Sequence, residues 1–419
     1  MLIHTLCLVT LLTAQRGFAF PSTFPYGSAT VRGVSLGGWL VLEPWITPSL
    51  FENTGNNAIV DEWTFGAFQS HSTALAAVQR HWNTWITEGD FADIAAAGLN
   101  HVRIPIGYWA WDVSQGEPYI QGQLPYLRQA VGWASNHGLK VIIDLHGAPA
   151  SQNGYDNSGQ RLAGGPQWNF NQTNIDRTNN VIKQIAAEFV SQVGTVSIIA
   201  PLNEPAGYFS ADLLQKTQQY WRDSYGNIRY PYGTSQQSDT VVLLHDAFQP
   251  LSYWNGFMPT PNYEGVAMDT HVYQVFSDAE VARTNQQHIN SACQTGNTIA
   301  AFTALWTIVG EWTPAMTDCA TYLNGRGKGA RYDGSFFGGE AVVGSCNGKS
   351  GDGSSFSSSY KTFLRQMWEA QTISFEKGSG WIMWTWKTER AADWSYQAGL
   401  SGGWIPQDPT NRMYPNICG

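Results

Sequence analysis

The feature that most constrains the fold is a regular alternation between short apolar runs and longer segments with helical periodicity. Eight apolar runs have the length of a buried strand and end in polar or aromatic residues. They cover residues 31–36, 99–104, 139–146, 196–202, 240–245, 265–271, 305–311 and 380–386. Strands that alternate with helices form parallel sheets, and eight such units indicate a closed barrel. The sequence therefore predicts an α/β fold, a single-domain (β/α)8 TIM barrel with long β/α loops.

Helical periodicity is clearest in three of the intervening segments, 82–97, 178–193 and 356–371. In the second segment Val181, Ile185 and Phe189 fall on one stripe, which predicts an amphipathic helix with one buried face. The Gly/Ser-rich stretch 325–359 breaks the alternation. We interpret it as an insertion in the seventh β/α loop, since neither a linker nor an internal repeat is visible.

The first nineteen residues predict secretion. They have a short apolar core followed by small residues near Ala19, the pattern of a cleaved signal peptide, so we expect a signal peptide at 1–19 and one catalytic domain at 20–419. The apolar core is too short for a good membrane span. Four cysteines remain after cleavage, and an even number in a secreted chain indicates two disulfides in any of three pairings. The sequon at Asn171 predicts a glycosylation site in a polar loop.

The amino-acid composition narrows the classes of molecule that the protein can bind. Aromatic residues make up 13% of the chain and include 19 Trp, which can build a large core or line a groove with flat faces suited to sugar rings. The net charge of −9 argues against nucleic acid and acidic membranes as partners. No CxxC or HExxH spacing indicates a metal site, so we expect no metal and no cofactor.

Polar side chains collect where the apolar runs end. Active sites of (β/α)8 barrels form at the C-terminal ends of the strands, so these side chains are candidates for one site. The candidates are Glu43, Arg103, Asp144, His146, Asn203, Glu204, His245, Asp246, His271, Tyr273, Glu311, Trp384 and Trp386.

Two glutamates give this cluster a chemical interpretation. Asn203 and Glu204 end one apolar run and Glu311 ends a later one, and a pair of carboxyl groups is what a glycosidase needs for its acid/base and its nucleophile. Each residue also has an ordinary explanation. A single glutamate after a strand is more often a helix cap, and Arg103 could simply neutralise a buried carboxylate. His146, His271 and Trp384 could be core residues.

Long motifs support the glycosidase interpretation. They are RGVSLGGWLVLEPWITPSLF (32–51), VRIPIGYW (102–109), IDLHGAPASQNG (143–154), HVYQVF (271–276), GEW (310–312) and WTWKTE (384–389). These motifs resemble the fungal secreted exo-β-1,3-glucanases of glycoside hydrolase family five, and the resemblance runs from about residue 30 to the C-terminus. It implies a (β/α)8 barrel, a retaining mechanism and release of glucose from the non-reducing ends of β-1,3-glucan.

The resemblance also implies roles for particular residues. It assigns Glu204 as acid/base and Glu311 as nucleophile, and it pairs Cys293 with Cys418 and Cys319 with Cys346. The residues that it places around the terminal glucose are Glu43, Arg103, His146, Asn203, His271, Tyr273 and Trp384. The residues expected at the entrance are Tyr155, where the family commonly has Phe, its neighbours Asp156 and Asn157, and Phe276. Trp45 stands where a Tyr is usual.

Several functions remain open at this stage. A β-glucan transglucosylase would use the same covalent intermediate, and a β-1,6- or β-1,4-glucan hydrolase would need only a different pocket shape. A non-catalytic glucan-binding wall protein would typically have lost one carboxylate, whereas this chain keeps both. We expect a secreted or cell-wall monomer that acts on β-1,3-glucan oligo- and polysaccharides.

Overall fold

A computed structural model describes residues 24–233, 236–336 and 341–419. The predicted signal peptide and its cleavage site lie outside these ranges. Within the described residues, no helix is long and apolar enough to cross a bilayer.

Eight parallel strands close into a barrel in chain order, with β8 pairing back onto β1. The strands are β1 (Val31–Ser35), β2 (His101–Gly107), β3 (Lys140–Gly147), β4 (Val196–Ala200), β5 (Val241–His245), β6 (Val266–Val272), β7 (Trp306–Trp312) and β8 (Gly380–Met383). The predicted (β/α)8 fold is therefore confirmed, and each predicted strand overlaps an observed one. The main difference is β8, which ends at Met383, so that Trp384 begins the loop above the barrel.

Helices surround the barrel and connect its strands. They are α1 (Pro48–Glu52), α2 (Glu62–Ala67), α3 (His71–Thr84), α4 (Glu88–Ala96), α5 (Leu124–Asn136), α6 (Gln172–Phe189), α7 (Ala211–Arg229), α8 (Asp278–Val281), α9 (Asn285–Ala301), α10 (Ser358–Phe375) and α11 (Tyr396–Gly402). In α6 the predicted stripe of Val181, Ile185 and Phe189 is buried. The side chain of Asn171 accepts a hydrogen bond from the Thr173 N–H at the start of this helix, and Asn171 is exposed.

The predicted single helix over 82–97 is wrong, because the chain forms two helices there. Helix α3 ends at Thr84 and α4 begins at Glu88. Thr87 lies between them with an extended backbone, and its N–H donates to Asp90 Oδ2 at 2.8 Å. This capping interaction starts a new helix where the apolar periodicity alone predicts continuation.

The barrel interior is apolar at its N-terminal end and polar at its C-terminal end. Ile142, Ile198 and Val241 are fully buried in the lower cluster. Tyr26 closes this end, with its hydroxyl 2.8 Å from His101 Nε2 and 2.7 Å from Ser197 Oγ. The lower half of the barrel is therefore a packed core, whereas a cavity opens at the opposite end of the strands.

Two disulfide bonds are present, and they have the pairing that the family resemblance implies. Cys293 of α9 is bonded to Cys418 near the C-terminus, across a sequence separation of 125 residues. Cys319 is bonded to Cys346 across 27 residues, within the long loop after β7. One bond therefore ties the C-terminal segment to the helical layer, and the other closes a loop above the barrel.

The two bonds differ in expected stabilisation because they close loops of different length. The chain-entropy relation gives about 4.9 kcal/mol for the longer loop and about 3.6 kcal/mol for the shorter one. We predict that replacing Cys293 and Cys418 together by Ala lowers the free energy of unfolding more than replacing Cys319 and Cys346. Denaturant unfolding of the two double variants provides the measurement, with each serving as the control for the other. An equal or reversed loss would contradict the prediction.

Candidate active site

A cavity of about 380 Å³ opens at the C-terminal end of the barrel. The predicted site residues that line it are Glu43, Tyr155, Asp156, Asn157, Glu204, Tyr273, Phe276, Glu311 and Trp384. The other predicted residues, Arg103, His146, Asn203 and His271, lie behind this wall, where hydrogen bonds or ring contacts join them to it. The fold thus brings all the predicted substrate and catalytic positions into one site.

Arg103 is the centre of the buried polar network. It is the third residue of β2 and its side chain is almost fully buried. Its Nη1 donates to Glu311 Oε1 at 2.7 Å, and its Nη2 donates to Asn203 Oδ1 at 2.7 Å. The same Nη2 lies 3.2 Å from Asp144 Oδ2. One guanidinium therefore orients a carboxylate and an amide from two other strands.

Glu311 is held on both oxygens. The residue precedes the last position of β7, where the strand reaches the floor of the cavity. Arg103 bonds to Oε1, and the Tyr273 hydroxyl donates to Oε2 at 2.8 Å. Two donors on one buried carboxyl group match an ionised carboxylate, which is the form that a nucleophile requires.

Glu204 has a different environment and a strained backbone. It follows β4 with a φ of 47°, a left-handed conformation that non-glycine residues adopt at a cost of roughly 1–3 kcal/mol. His271 Nδ1 lies 2.7 Å from its Oε1, and Asn157 Nδ2 donates to its Oε2 at 3.2 Å. The backbone strain turns the side chain toward the cavity instead of continuing the strand direction.

The two glutamates share one imidazole. His271 Nδ1 is 2.7 Å from Glu204 Oε1 and 3.5 Å from Glu311 Oε2. These two oxygens are therefore at most about 6 Å apart, which agrees with the roughly 5–5.5 Å separation of carboxyl groups in retaining glycosidases.

The pKa shifts of His271 and the two glutamates indicate that His271, next to Glu204, is the group most readily protonated. Burial lowers the pKa of His271, but the charges of Glu311 and Asp269 outweigh it and raise that pKa well above its ordinary value. Burial raises the pKa of Glu204, but the hydrogen bond and charge of His271 outweigh it and lower that pKa. Burial raises the pKa of Glu311, despite the positive charges of His271 and Arg103.

The pKa is thus lowered for Glu204 and raised for Glu311. If Glu204 is the general acid, the simplest expectation is the reverse, with the raised pKa on Glu204. The raised pKa of His271 favours a protonated imidazole in the substrate-free protein, and a protonated imidazole donates to Glu204 along the 2.7 Å hydrogen bond. Transfer of that proton from Nδ1 to Oε1 leaves a neutral imidazole and a protonated Glu204. The acid form is thus one proton shift away from the resting form.

Unpaired buried atoms mark positions that a ligand can satisfy. Glu43 Oε1, His146 Nε2 and Asn203 Nδ2 are buried and have no hydrogen-bond partner among the described residues. Their other polar atoms are held: Glu43 Oε2 by Trp45 Nε1, His146 Nδ1 by Asp144 Oδ2, and Asn203 Oδ1 by Arg103. Unsatisfied buried groups are costly, so these atoms are natural contacts for sugar hydroxyls.

Aromatic rings form the entrance and the wall. Tyr155 and Phe276 are about half exposed, and the Tyr155 hydroxyl lies 2.5 Å from that of Tyr208. The ring of Trp384 stacks on His146 with centroids 5.4 Å apart.

Sequence analysis missed part of the cavity wall, namely Arg161, Phe248, Leu323, Asn324, Gly325, Lys328, Arg331, Phe336 and Trp394. Most of these lie on loops with no periodic signal, and only the position of 325–359 after the seventh strand hinted at their role.

Asp144 is a further functional position, noted at a strand end but given no role from sequence. It bonds His146 Nδ1 at 2.6 Å and pairs with Arg103. Burial raises its pKa, but the charge of Arg103 and the hydrogen bond with His146 outweigh this and lower it. Asp144 therefore remains ionised and fixes which nitrogen of His146 faces the ligand.

Glu204, His245 and His271 also lie close enough together to resemble a metal-binding group. His271 Nδ1 bonds Glu204 and His245 Nδ1 accepts a hydrogen bond from the Ala247 N–H at 3.0 Å, while the Nε2 atoms of both rings have no hydrogen-bond partner among the described residues. The high pKa of His271 also disfavours the neutral imidazole that a metal requires. We assign the group to the proton network.

A parallel barrel with two closely placed glutamates just after β4 and near the end of β7, inside an aromatic pocket, defines a glycoside hydrolase.

Comparison with known proteins agrees with this class. Residues 66–313 match the family model described as Cellulase (glycosyl hydrolase family 5). The chain is 46% identical over 400 residues to "Glucan 1,3-beta-glucosidase" of Blumeria graminis, covering 94% of this chain and 91% of that protein. It is 42% identical over 439 residues to "Glucan 1,3-beta-glucosidase 2" of Wickerhamomyces anomalus, covering 100% of both. The chain belongs to glycosyl hydrolase family 5.

Solved structures share the fold at lower sequence identity. A crystal structure of rutinosidase from Aspergillus niger matches with a TM-score of 0.70 and 18% identity, covering 90% of this chain and 98% of that one. A second structure, AoRut, matches with a TM-score of 0.68 and 20% identity, covering 90% and 97%. At this identity the likeness supports the (β/α)8 architecture alone.

The shared proton leads to a pH prediction. In His271→Asn the proton can no longer reside on an imidazole with a raised pKa, so Glu204 must retain it alone. We predict that the alkaline limb of the pH profile of kcat/KM moves to lower pH. Activity on a β-glucoside measured from acidic to alkaline pH tests this, with His137→Asn at a half-exposed surface position as the control. An unchanged alkaline limb in His271→Asn would separate His271 from the catalytic proton.

Proposed function

We propose that this protein is a retaining exo-β-1,3-glucanase that releases glucose from the non-reducing ends of β-1,3-glucan. The observation that carries the proposal is the contact of Glu204 and Glu311 with one imidazole inside a small pocket. Relatives named as glucan 1,3-beta-glucosidases align with nearly the whole chain and support β-1,3-glucan as the substrate.

In the proposed mechanism Glu311 attacks the anomeric carbon while Glu204 protonates the leaving oxygen. The bond from the anomeric carbon to the leaving oxygen breaks as the bond to Glu311 forms. Water, deprotonated by Glu204, then hydrolyses the glycosyl-enzyme, and the anomeric configuration is retained. Arg103 and Tyr273 favour the ionised form of Glu311 and orient it. His271 passes its proton to Glu204 before the first step and takes back the proton that Glu204 receives from water in the second step.

The remaining polar residues bind the terminal glucose. Asn203 Nδ2 is free to donate to the sugar 2-OH, a contact that strengthens in the transition state. Glu43 and His146 bind other hydroxyls through their unpaired atoms. Trp384 stacks on a sugar face, while Tyr155 and Phe276 flank the next sugar at the entrance. The mechanism uses only side chains of this chain.

Transfer of glucose to another sugar is a second candidate activity. Tyr155, Tyr208 and Phe248 form a connected aromatic surface at the entrance, with Tyr208 and Phe248 rings 5.5 Å apart. Such a surface can hold an acceptor sugar over the covalent intermediate and favour transglucosylation at high oligosaccharide concentration.

The cellular setting follows from the same proposal. We propose secretion to the medium or cell wall, with the predicted signal peptide removed and Asn171 glycosylated. Asn171 Oδ1 caps α6 while its amide nitrogen has no hydrogen bond from the described residues, so an attached glycan would leave the cap intact. The working unit is proposed to be a monomer.

Incubation with laminarin tests the main proposal. Proton NMR of fresh digests should show β-glucose as the first product, with no early fall in polymer length. Turnover of laminaribiose should exceed that of gentiobiose and cellobiose. Release of α-glucose first, or of long oligosaccharides, would reject the retaining exo mechanism, and faster cleavage of gentiobiose would favour β-1,6-glucan.

Removal of the nucleophile should abolish hydrolysis. We predict that Glu311→Ala lowers kcat by several orders of magnitude, as loss of a covalent nucleophile does, and that azide partly restores turnover by entering the vacated space. Glu311→Gln keeps the volume and provides the matched control for folding, since it leaves Arg103 a hydrogen-bond acceptor. Near-normal turnover in both variants would remove Glu311 from this role.

Removal of the acid should depend on the leaving group. We predict that Glu204→Gln reduces kcat/KM for laminaribiose far more than for an activated aryl β-glucoside, because a good leaving group needs little protonation. The ratio of the two kcat/KM values is the measurement. If both substrates lose activity equally, Glu204 is not the general acid.

A further inference from the structure

Two cationic side chains on the cavity wall have no anionic partner. Arg161 lies on the loop after β3 and Lys328 on the loop after β7, and both line the cavity. Neither forms an ion pair within 4 Å among the described residues, in contrast to Arg331 beside them, which pairs with Asp318 and Asp278. We call Arg161 and Lys328 the cationic pair.

The two side chains converge on one point. A Cβ atom placed on Gly325 would lie 3.0 Å from Arg161 Nη1 and 3.8 Å from Lys328 Cδ. These two atoms are therefore at most about 7 Å apart, and both lie next to Gly325. Gly325 also has a φ of 103°, so the loop reaches this position only with glycine.

The guanidinium of Arg161 is the more informative member. Its Nη1 is buried and has no hydrogen-bond partner among the described residues. A buried, unpaired charged donor is costly, and a second positive charge nearby increases the cost. The opposing charges on this side are Asp156 and Asp61, and Asp61 uses one oxygen to accept the Arg161 backbone N–H at 2.7 Å.

We propose that the cationic pair binds an anionic substituent, a carboxylate or a sulfate ester, on the leaving-group sugar of the substrate. This inference rests on the proposed function. A planar guanidinium binds two oxygens of such a group at once, and an ammonium adds a flexible point charge. Lys328 is exposed whereas Glu204 and Glu311 are buried, so Lys328 lies toward the outer part of the pocket, the side of the leaving-group sugar, with the buried Arg161 Nη1 deeper in the same wall.

The loops then determine the preference for a charged substrate, and the residues that set this preference are separate from the two catalytic glutamates. The pair lies on the walls contributed by the loops after β3 and β7, whereas the catalytic glutamates lie at the ends of β4 and β7. The enzyme would accept neutral β-1,3-glucan and cleave units next to an acidic sugar faster.

Two matched substrates test the proposal. Laminaribionate and laminaribiitol are open-chain derivatives of one disaccharide, and they differ at C1 by a carboxylate in place of a hydroxymethyl group. We expect the native protein to cleave laminaribionate with a kcat/KM roughly tenfold higher, the effect of one charge-assisted hydrogen bond. Added KCl should reduce this preference.

The variants separate charge from packing. Lys328→Met and Arg161→Met should bring the ratio of the two kcat/KM values close to one, while Lys328→Arg keeps the preference. Lys183→Met, at an exposed position on α6, makes the same change in net charge and should leave the ratio unaltered. A ratio near one in the native protein, or an unchanged ratio in both Met variants, would overturn the proposal.

Simple anions distinguish the two kinds of substituent. Acetate and sulfate are compared at equal ionic strength as inhibitors of aryl glucoside hydrolysis. The stronger inhibitor shows whether a carboxylate or a sulfate binds better, and a lack of inhibition by both rejects the site.

If the protein cleaves no glucoside at all, the proposed function fails on its own. The cationic pair is then judged by tryptophan fluorescence during sulfate titration, since Trp45, Trp384 and Trp394 line the same cavity. A response lost in Lys328→Met supports the pair, and the absence of any response rejects it.

Discussion

The buried guanidinium of Arg103 is the interaction on which the polar half of the barrel depends. A charge in the barrel interior is costly unless it is paired and hydrogen-bonded, and Arg103 meets Glu311, Asn203 and Asp144 within 3.2 Å. Asp144 and Glu311 lie on β3 and β7 and Asn203 lies on the loop after β4, so the ion network also connects the upper ends of these strands. The same contacts that neutralise the charge favour the ionised form of Glu311 and leave Asn203 Nδ2 free for a ligand. Stability and function thus use one set of bonds.

A second set of contacts controls the proton. His271 faces Glu204 and Glu311 through the same nitrogen, and Asp269 lies 3.5 Å from its other nitrogen. Because the surrounding carboxylates raise the pKa of His271, a proton is favoured on this imidazole, one hydrogen bond away from Glu204. The strained backbone of Glu204 keeps the carboxyl group at that distance. Two glutamates of identical chemistry therefore acquire different roles from their neighbours alone.

The loops decide what reaches these groups. The barrel supplies the floor of the pocket, while the loop closed by Cys319 and Cys346 contributes much of the wall. Tyr155 and Phe276 provide flat faces at the entrance, and Arg161 and Lys328 provide charge. Among the described residues, the side chains of Tyr155, Phe276, Arg161 and Lys328 form no hydrogen bond with Arg103 or the two glutamates, so these four positions can change without removing those contacts. The geometry therefore separates the chemistry from the choice of substrate.

The sequence by itself determined the barrel and the order of its strands and singled out Glu204 and Glu311 as candidates, because strand and helix periodicity and the residues that end an apolar run are local properties of the chain. It could not reveal the break between α3 and α4, since a single capping threonine outweighed the apolar pattern. It also could not show that His271 contacts both glutamates, that Asp144 orients His146, or that Arg161 and Lys328 converge on Gly325. Those facts arise from barrel closure and loop packing, which bring together residues up to about 170 positions apart. Distances between such residues depend on the whole fold, and only the tertiary structure decided them.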